Sequence, residues 1–134
     1  MTSKIDSAFQ FHQTALSLRA ARQELIASNI ANADTPGYKA KDIDFASALQ
    51  NALSGSTARL ALANTAPRHL AGETGNSVMG SPVLYRTVLQ PSADGNTVDM
   101  DVERAQFADN ALRYEASVNF VSGRVKDVLL ALQG

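Results

Sequence analysis

Apolar side chains near the carboxyl end of the chain recur with the spacing of a packed helix. Between Phe107 and Leu132 they follow one another at alternating intervals of four and three residues. This heptad pattern predicts a long helix over residues 101–132 with one apolar seam, and either Asp99 or Asp101 is placed to cap its start. The seam consists of Phe107, Ala111, Tyr114, Val118, Val121, Val125, Val128 and Leu132.

A second long helix is predicted over residues 5–32, which contain no proline or glycine and are rich in Ala, Leu, Gln and Arg. Pro36 and Gly37 are expected to end it, and residues 35–38 suit a type II turn with Gly37 at the position of positive φ. Two neighbouring stripes indicate that more than one face of this helix is covered. One stripe comprises Phe11, Ala15, Leu18, Ala21, Leu25 and Ser28, and the other comprises Leu16, Ala20, Ala27 and Ile30.

The middle of the chain is expected to hold short elements among loops. Residues 43–53 read as a short helix capped by Asp44. Residues 54–81 are dominated by small and polar residues and read mostly as loop, with a strand near residues 60–62. Residues 83–89 and 97–100 are expected to pair as a hairpin. The predicted fold is therefore mainly α, with the long N- and C-terminal helices packed as a coiled-coil-like pair and a loop-rich middle containing a small β-hairpin.

Composition and charge exclude several classes of function. The 134 residues carry a net charge of −1, from 12 basic and 13 acidic side chains, so nucleic acid is not an expected partner. The chain has no cysteine, which excludes disulfides and thiolate metal sites. No apolar run is long enough for a transmembrane helix, and residues 1–30 lack the apolar core of a cleavable signal peptide.

The residue types that carry chemistry form no recognisable catalytic or metal-binding motif. His12 and His69 are the only histidines, and neither has a carboxylate at ligand spacing. Asp99, Asp101 and Glu103 stand where acidic residues cap a helix and complement its dipole. A nucleophile motif and a phosphate-binding glycine loop are also absent from the sequence. An enzyme, a cofactor and a metal are therefore not expected.

Four segments resemble bacterial flagellar rod and hook proteins. Residues 18–40 read LRAARQELIASNIANADTPGYKA and resemble the N-terminal signature of that family. Residues 42–45 read DIDF, residues 94–101 read DGNTVDMD, and residues 106–110 read QFADN, all similar to members of the proximal rod. The resemblance extends along the whole chain and is weakest at residues 54–81. The short chain also has no room for the large inserted domain of distal rod and hook proteins.

The resemblance implies a structural subunit that stacks helically with other copies of itself into a hollow, torque-transmitting rod. The implied neighbours are the rod protein FlgC, the rod-base adaptor FliE, the flagellar export gate and the MS ring. The implied location is the basal body, in the periplasmic space, reached by type III export without a cleavable signal. Residues 1–35 and 101–134 would form the helical rod core, and residues 36–100 would hold the turn, short helix, loop and hairpin between them.

The stripes and the resemblance together predict an assembly interface on both long helices. The seam also fits an ordinary intramolecular core, and Asn29 and Asn32 either bond to a neighbour or finish their own helix. A soluble coiled-coil adaptor remains the alternative function. The predicted interface comprises Leu18, Leu25, Ala27, Asn29, Ile30, Asn32, Pro36, Gly37, Tyr38, Phe107, Tyr114, Val118, Val121, Val125, Val128 and Leu132.

Overall fold

A computed structural model describes residues 4–54, 77–88 and 92–133 of the chain. The helices within these ranges are α1 (Lys4–Ala31), α2 (Phe45–Leu53) and α3 (Met100–Gln133). The strands, each of two residues, are β1 (Lys41–Asp42), β2 (Ser77–Val78), β3 (Ser81–Pro82) and β4 (Leu84–Tyr85). The predicted mainly helical fold, with long terminal helices packed together and a small antiparallel strand region between them, is confirmed.

The two long helices run antiparallel. Asn29 near the end of α1 lies beside Glu103 near the start of α3, with 3.2 Å between Nδ2 and Oε2. At the opposite end of the pair, the rings of His12 and Phe120 lie 4.7 Å apart between centroids. At about 1.5 Å per residue, α1 spans roughly 40 Å and α3 roughly 50 Å. The chain therefore doubles back, and its first and last helical turns lie at the same end.

Helix α3 begins one residue after its cap. The Asp99 carboxylate accepts hydrogen bonds from the backbone N–H groups of Asp101 and Val102, at 3.0 and 3.2 Å. Of the two caps that the sequence offered, Asp99 is the one used. Helix α2 is capped in the same way by Asp44, as predicted, since its carboxylate accepts from the N–H groups of Ala46 and Ser47.

Helix α1 ends at Ala31, before Pro36, so the prediction that the Pro-Gly pair ends it is corrected. The Asn96 side chain reaches in from the segment before α3 and donates to the carbonyls of Asn32, Ala33 and Thr35, at 2.7–3.0 Å. Ala33 O has no backbone partner among the described residues, and Asn32 O and Thr35 O also accept from the N–H groups of Thr35 and Tyr38. The predicted type II turn follows: Gly37 has a φ of 71°, and Tyr38 N–H donates to Thr35 O at 3.2 Å.

The predicted pairing of residues 83–89 with residues 97–100 is wrong. Strand β4 instead pairs antiparallel with β1, and β2 pairs with β3 through a turn in which Met79 and Gly80 both have positive φ. Residue 97, which was expected to pair with the segment 83–89, instead bonds to the segment after Gly37: Thr97 N–H donates to Tyr38 O at 3.0 Å. The predicted strand at residues 60–62 lies outside the described residues.

The apolar core is small and lies beside the middle and second half of α1. Leu18, Ile43 and Ala48 are buried together, joining α1, the segment after β1, and α2. The half-buried side chains packed around them are Leu25, Phe45, Leu49, Val78 and Val83. This core fixes the middle of the chain against α1, whereas most apolar side chains of α3 remain exposed.

Candidate assembly interface

The contact between α1 and α3 is polar where the helices meet the β1–β4 pair. Asn29 is fully buried, and its Nδ2 donates to Lys41 O at 2.8 Å while its Oδ1 accepts from Lys41 N–H at 2.9 Å. Tyr38 Oη also donates to Asn29 Oδ1, at 3.3 Å. One side chain of α1 thus bonds both backbone polar groups of Lys41 in β1, as a neighbouring strand would.

Four charged side chains surround this contact and connect all the elements that meet there. Arg22 Nε and Nη2 each lie 2.9 Å from the Asp42 carboxylate, and Arg86 Nη2 lies 2.9 Å from the same carboxylate. Arg86 Nη1 also pairs with Glu103. Arg22 Nη2 donates to Gln106 Oε1 at 3.0 Å. This ionic cluster therefore ties α1, β1, the segment after β4, and α3 to one another.

The pKa values of the two carboxyls in the ionic cluster are shifted in opposite directions. Burial alone would raise the pKa of Asp42, but the hydrogen bonds from Arg22 and Arg86 outweigh it and hold that pKa below its usual value. Burial raises the pKa of Glu103, and a hydrogen bond from Asn29 and the charge of Arg86 offset only part of this rise. Each of the four charged side chains of the cluster has an oppositely charged partner within it, so the cluster joins segments of one chain.

The stripe of α3 that faces α1 differs from the predicted seam. Glu103 and Asn110 are buried, and Gln106, Ser117, Val121 and Val128 are half-buried. Asn110 Nδ2 donates to Arg19 O at 2.9 Å and to Gln23 Oε1 at 2.6 Å. Because α1 presents polar groups such as Arg19 O and Gln23 Oε1 along this contact, the polar stripe in the first half of α3 faces α1.

The predicted seam consequently lies beside the helix contact, open to solvent over most of its length. Val121 and Val128 share both stripes and are half-buried. Phe107 is 39% exposed and Leu132 is 79% exposed, although both are strongly apolar. The other exposed members of the seam are Ala111, Tyr114, Val118 and Val125. A row of apolar side chains on this scale marks a surface that binds another molecule.

A groove runs between this exposed seam and α1. Two adjoining cavities, of about 520 and 360 Å³, share Ala20 and Tyr114 and form one continuous depression. Its α1 wall includes the small side chains Ser17, Ala20 and Ala27. Its α3 wall includes Phe107, Ala111, Tyr114 and Val121. Small residues on one wall and aromatic residues on the other leave an open, largely apolar depression between the two helices.

The described residues contain no cluster of histidine and carboxylate side chains that could hold a metal ion. His12 packs against two aromatic rings, at 5.2 Å from Phe11 and 4.7 Å from Phe120 between centroids. No helix among the described residues is long and apolar enough to cross a membrane.

Comparison with known proteins identifies the family. Residues 9–39, which contain most of α1 and the turn after it, match the family described as flagella basal body rod protein. The chain is 48% identical to the flagellar basal body rod protein FlgB of Escherichia coli (strain K12), over 99% of this chain and 98% of the relative. It is 47% identical to FlgB of Salmonella typhimurium, over 100% and 99%, and 44% identical to FlgB of Aeromonas hydrophila, over 100% and 98%. The chain belongs to the FlgB family of flagellar basal body rod proteins.

Membership of the FlgB family confirms the predicted structural role in the basal-body rod and the prediction that the chain is not an enzyme. It also gives the basal body as its location and fits assembly with further rod subunits. The adaptor alternative is not favoured, because relatives that are 44–48% identical and are named as rod proteins match 99–100% of the chain.

The residues predicted as the interface divide into two groups in this FlgB-family fold. Leu18 and Asn29 are buried, and Leu25, Ile30, Asn32 and Tyr38 are half-buried, so these six hold the chain's own fold. Ala27, Pro36 and Gly37 are exposed, as are most seam residues. Asn32 finishes its own helix: its Nδ2 donates to Ser28 O at 2.8 Å. Asn29 neither finishes its own helix nor is left free to bond a neighbouring subunit. Its side chain bonds Lys41 and Glu103 of the same chain.

Sequence reasoning missed the polar residues that position the site, namely Arg22, Asn96, Glu103 and Asn110. A signal was present for two of them. Glu103 and Asn110 are seven residues apart, with Gln106 between them and Ser117 following at the same interval. Such a polar heptad stripe beside an apolar one indicates which face meets a polar partner. Arg22 and Asn96 act over long sequence distances and left no local pattern.

Proposed function

We propose that this chain assembles helically with copies of itself in the proximal part of the flagellar rod, using the exposed seam of α3 as a contact surface. The observation that carries the proposal is the solvent exposure of Phe107, Tyr114, Val118, Val125 and Leu132 on one face of a 34-residue helix. Burying one such large side chain contributes about 1.5–3 kcal/mol. Several of them acting together supply a stable subunit contact.

Residues 1–35 and 101–134 form the helical core of the assembled shaft in this proposal. Residues 36–100 dock on α1 through the ionic cluster and reach toward neighbouring subunits. The hollow shaft transmits torque and carries exported subunits in its lumen. The small apolar core around Leu18 and Ala48 supports this role, because a chain with few buried apolar contacts unfolds readily for passage through a narrow export channel.

The proposed neighbours are other copies of the chain, the rod protein FlgC and the rod-base adaptor FliE, with the export gate and MS ring nearby. The proposed compartment is the periplasmic space, reached by the type III route without a cleavable signal peptide. A stable dimer in dilute buffer that never enters a rod would instead favour the soluble coiled-coil adaptor.

A single charge on the seam tests the proposal. Val118 is 37% exposed and lies on the seam, so Val118→Asp should leave the fold intact and block assembly by placing a charge in an apolar contact. We expect unchanged thermal unfolding of the isolated chain, with loss of swimming and of incorporation into basal bodies. Val121→Asp is less informative, because Val121 is half-buried and that substitution would also damage the fold.

Asn119→Asp is the matched control, since it adds the same charge one residue further along α3, on a different face. It should swim and assemble as the unmodified chain does. Normal incorporation of Val118→Asp into basal bodies would contradict the proposed role of the seam.

A further inference from the structure

The groove between α1 and α3 has the size, lining and charge to hold one end of a helix. We propose that the last two turns of α3 from a second copy occupy this groove, with Leu129 and Leu132 facing Ala27, Ala111 and Tyr114. The inference rests on the proposed assembly of rod subunits and names which two surfaces meet.

The first argument is apolar fit. The deeper cavity of the groove, about 520 Å³, is lined by Ala20, Ala27, Phe107, Ala111 and Tyr114 together with a few polar side chains. The end of α3 carries the complementary shape: Leu129 is 51% exposed and Leu132 is 79% exposed. Alanines on the α1 wall allow another helix to approach closely, and the two leucines supply the volume that fills the space.

The second argument is charge. Arg19 lines the groove and makes no ion pair among the described residues; its guanidinium lies 4.3 Å from the centre of the Phe45 ring. Its Nε is buried without a hydrogen-bond partner. Burial lowers the pKa of Arg19, and the nearby charges of Arg113 and Arg22 lower it further. Glu24 also lines the groove, so the attraction for an acceptor comes from Arg19 itself and not from a net positive lining.

The carboxyl end of α3 carries a partial negative charge. Its last turn contains no basic residue, so nothing there compensates the partial negative charge on the final carbonyls. A helix that enters the groove with its carboxyl end toward Arg19 brings those carbonyls to an unpaired guanidinium. Charge and apolar fit therefore select the same segment.

The third argument is geometric. Ala111 in the groove and Leu129 in the occupant are 18 residues apart on one continuous helix, which is about 27 Å. The two surfaces of one chain therefore cannot meet each other. Each copy offers one groove and one helix end, so the contact is head-to-tail and leaves an unused surface at each end of the assembly. Contacts of this kind build open filaments when the rotation between copies does not close a ring.

Cysteine crosslinking tests the pairing, because the chain has no cysteine of its own. Ala111→Cys and Leu129→Cys chains are expressed together in a flagellated host that lacks its own gene for this chain, and isolated basal bodies are treated with a short bismaleimide. We expect a crosslinked dimer from the mixture at about tenfold the yield of either chain alone. Leu112→Cys is the matched control, since it is exposed on α3 one residue from Ala111 and outside the groove.

The outcomes separate this inference from the rod assignment. Equal crosslinking of Leu129→Cys with Ala111→Cys and with Leu112→Cys, in basal bodies that contain the chains, would overturn the inference and leave the rod role intact. Strong crosslinking of Leu129→Cys with itself would also overturn it, by showing a symmetric contact of the helix ends. Failure of the unmodified chain to enter basal bodies would overturn the rod role itself.

A second variant does not depend on cysteine chemistry. Ala27 is exposed, so Ala27→Phe fills the groove without disturbing the core. We expect unchanged thermal unfolding of the isolated chain and a fall of about tenfold in incorporation into basal bodies. Incorporation equal to that of the unmodified chain would overturn the inference.

Discussion

Asn29 pairs with both backbone polar groups of Lys41, donating to its carbonyl at 2.8 Å and accepting from its N–H at 2.9 Å. The Asn29 side chain is fully buried, and the same amide reaches Glu103 at 3.2 Å. The end of α1 is thereby fixed to β1 and to the start of α3 by one side chain. This contact docks β1 on the helical pair.

Asn29→Ala should destabilise the isolated chain by about 1–3 kcal/mol, because it leaves the backbone N–H and carbonyl of Lys41 without their partner and removes one hydrogen bond to the buried Glu103. The measurement is the free energy of unfolding from a urea titration. Asn32→Ala is the matched control, since the Asn32 side chain bonds within its own helix end and turn, and it should cost less than about 1 kcal/mol. Equal losses from both variants would contradict the docking role of Asn29.

The Asp42 carboxylate predicts a pH dependence of stability. Hydrogen bonds from Arg22 and Arg86 outweigh burial and hold its pKa in the folded chain below the ordinary value of 3.8. The folded state therefore binds fewer protons than the unfolded state near that pH. Its contribution to stability is present above pH 3.8 and is lost as the pH falls through the lowered pKa.

Asp42→Asn removes this contribution, so the loss of unfolding free energy relative to the unmodified chain should be about 1–3 kcal/mol at neutral pH and should shrink in acid. Glu103 has the opposite effect on stability. Its pKa is raised in the folded chain, so its contribution to stability is present below pH 4.5, its ordinary pKa, and is lost as the pH rises through the raised pKa. Asn51→Ala introduces no change in titration and is the control, with a loss that stays the same across the pH range. A pH-independent loss in Asp42→Asn would contradict the prediction.

Local patterns in the sequence predicted the helices, the Asp44 cap and the turn at Gly37, because each depends on residues close together in the chain. The heptad pattern left open whether the seam of α3 faces α1 or other subunits, and over the first half of α3 the structure places Asn110 against α1 and leaves Phe107 and Ala111 exposed. The polar groups that α1 presents decide this facing, and the periodicity of α3 alone does not contain them. The β1–β4 pairing joins residues more than 40 positions apart and had no local signal.

Replacing glycine by alanine should change the stability of the isolated chain in opposite directions at Gly37 and Gly123. A Cβ at either Gly37 or Gly123 would meet no atom within 4 Å, so backbone conformation alone decides the effect on the isolated chain. Gly37 has a φ of 71°, and Gly37→Ala should destabilise by about 1 kcal/mol. Gly123 lies within α3, and Gly123→Ala should stabilise by about 0.5–1 kcal/mol.

Thermal unfolding of the two variants checks this pair. Gly123→Ala also tests whether another backbone approaches α3 closely at this position in the assembled rod, which a glycine, without a Cβ, would allow. A variant that is more stable alone and enters basal bodies poorly would support a close contact at Gly123, whereas normal entry would exclude it.

Asn96 holds the junction between α1 and the turn at Gly37, from a position more than 60 residues further along the chain. It is 5% exposed, its Nδ2 donates to three carbonyls of residues 32–35, and its Oδ1 accepts from Val98 N–H at 2.7 Å. Asn96→Ala should therefore cost about 1–3 kcal/mol of unfolding free energy, because it leaves Ala33 O and Val98 N–H without a partner and removes one hydrogen bond from each of Asn32 O and Thr35 O.

Asn96→Asp removes the hydrogen-bond donor of this side chain and keeps its acceptor. The carboxylate keeps the bond from Val98 N–H but replaces the donor with a negative charge facing three carbonyl oxygens, so it should destabilise at least as much as Asn96→Ala at neutral pH. Amide exchange at Gly37, whose N–H donates to Asp94 O at 2.9 Å, should quicken in both variants relative to amides of α2. Asn51→Ala is the control, since Asn51 is half-buried and makes one long bond, of 3.4 Å, to Ser81. Asn96→Asp as stable as the unmodified chain would show that the donated bonds do not hold this junction.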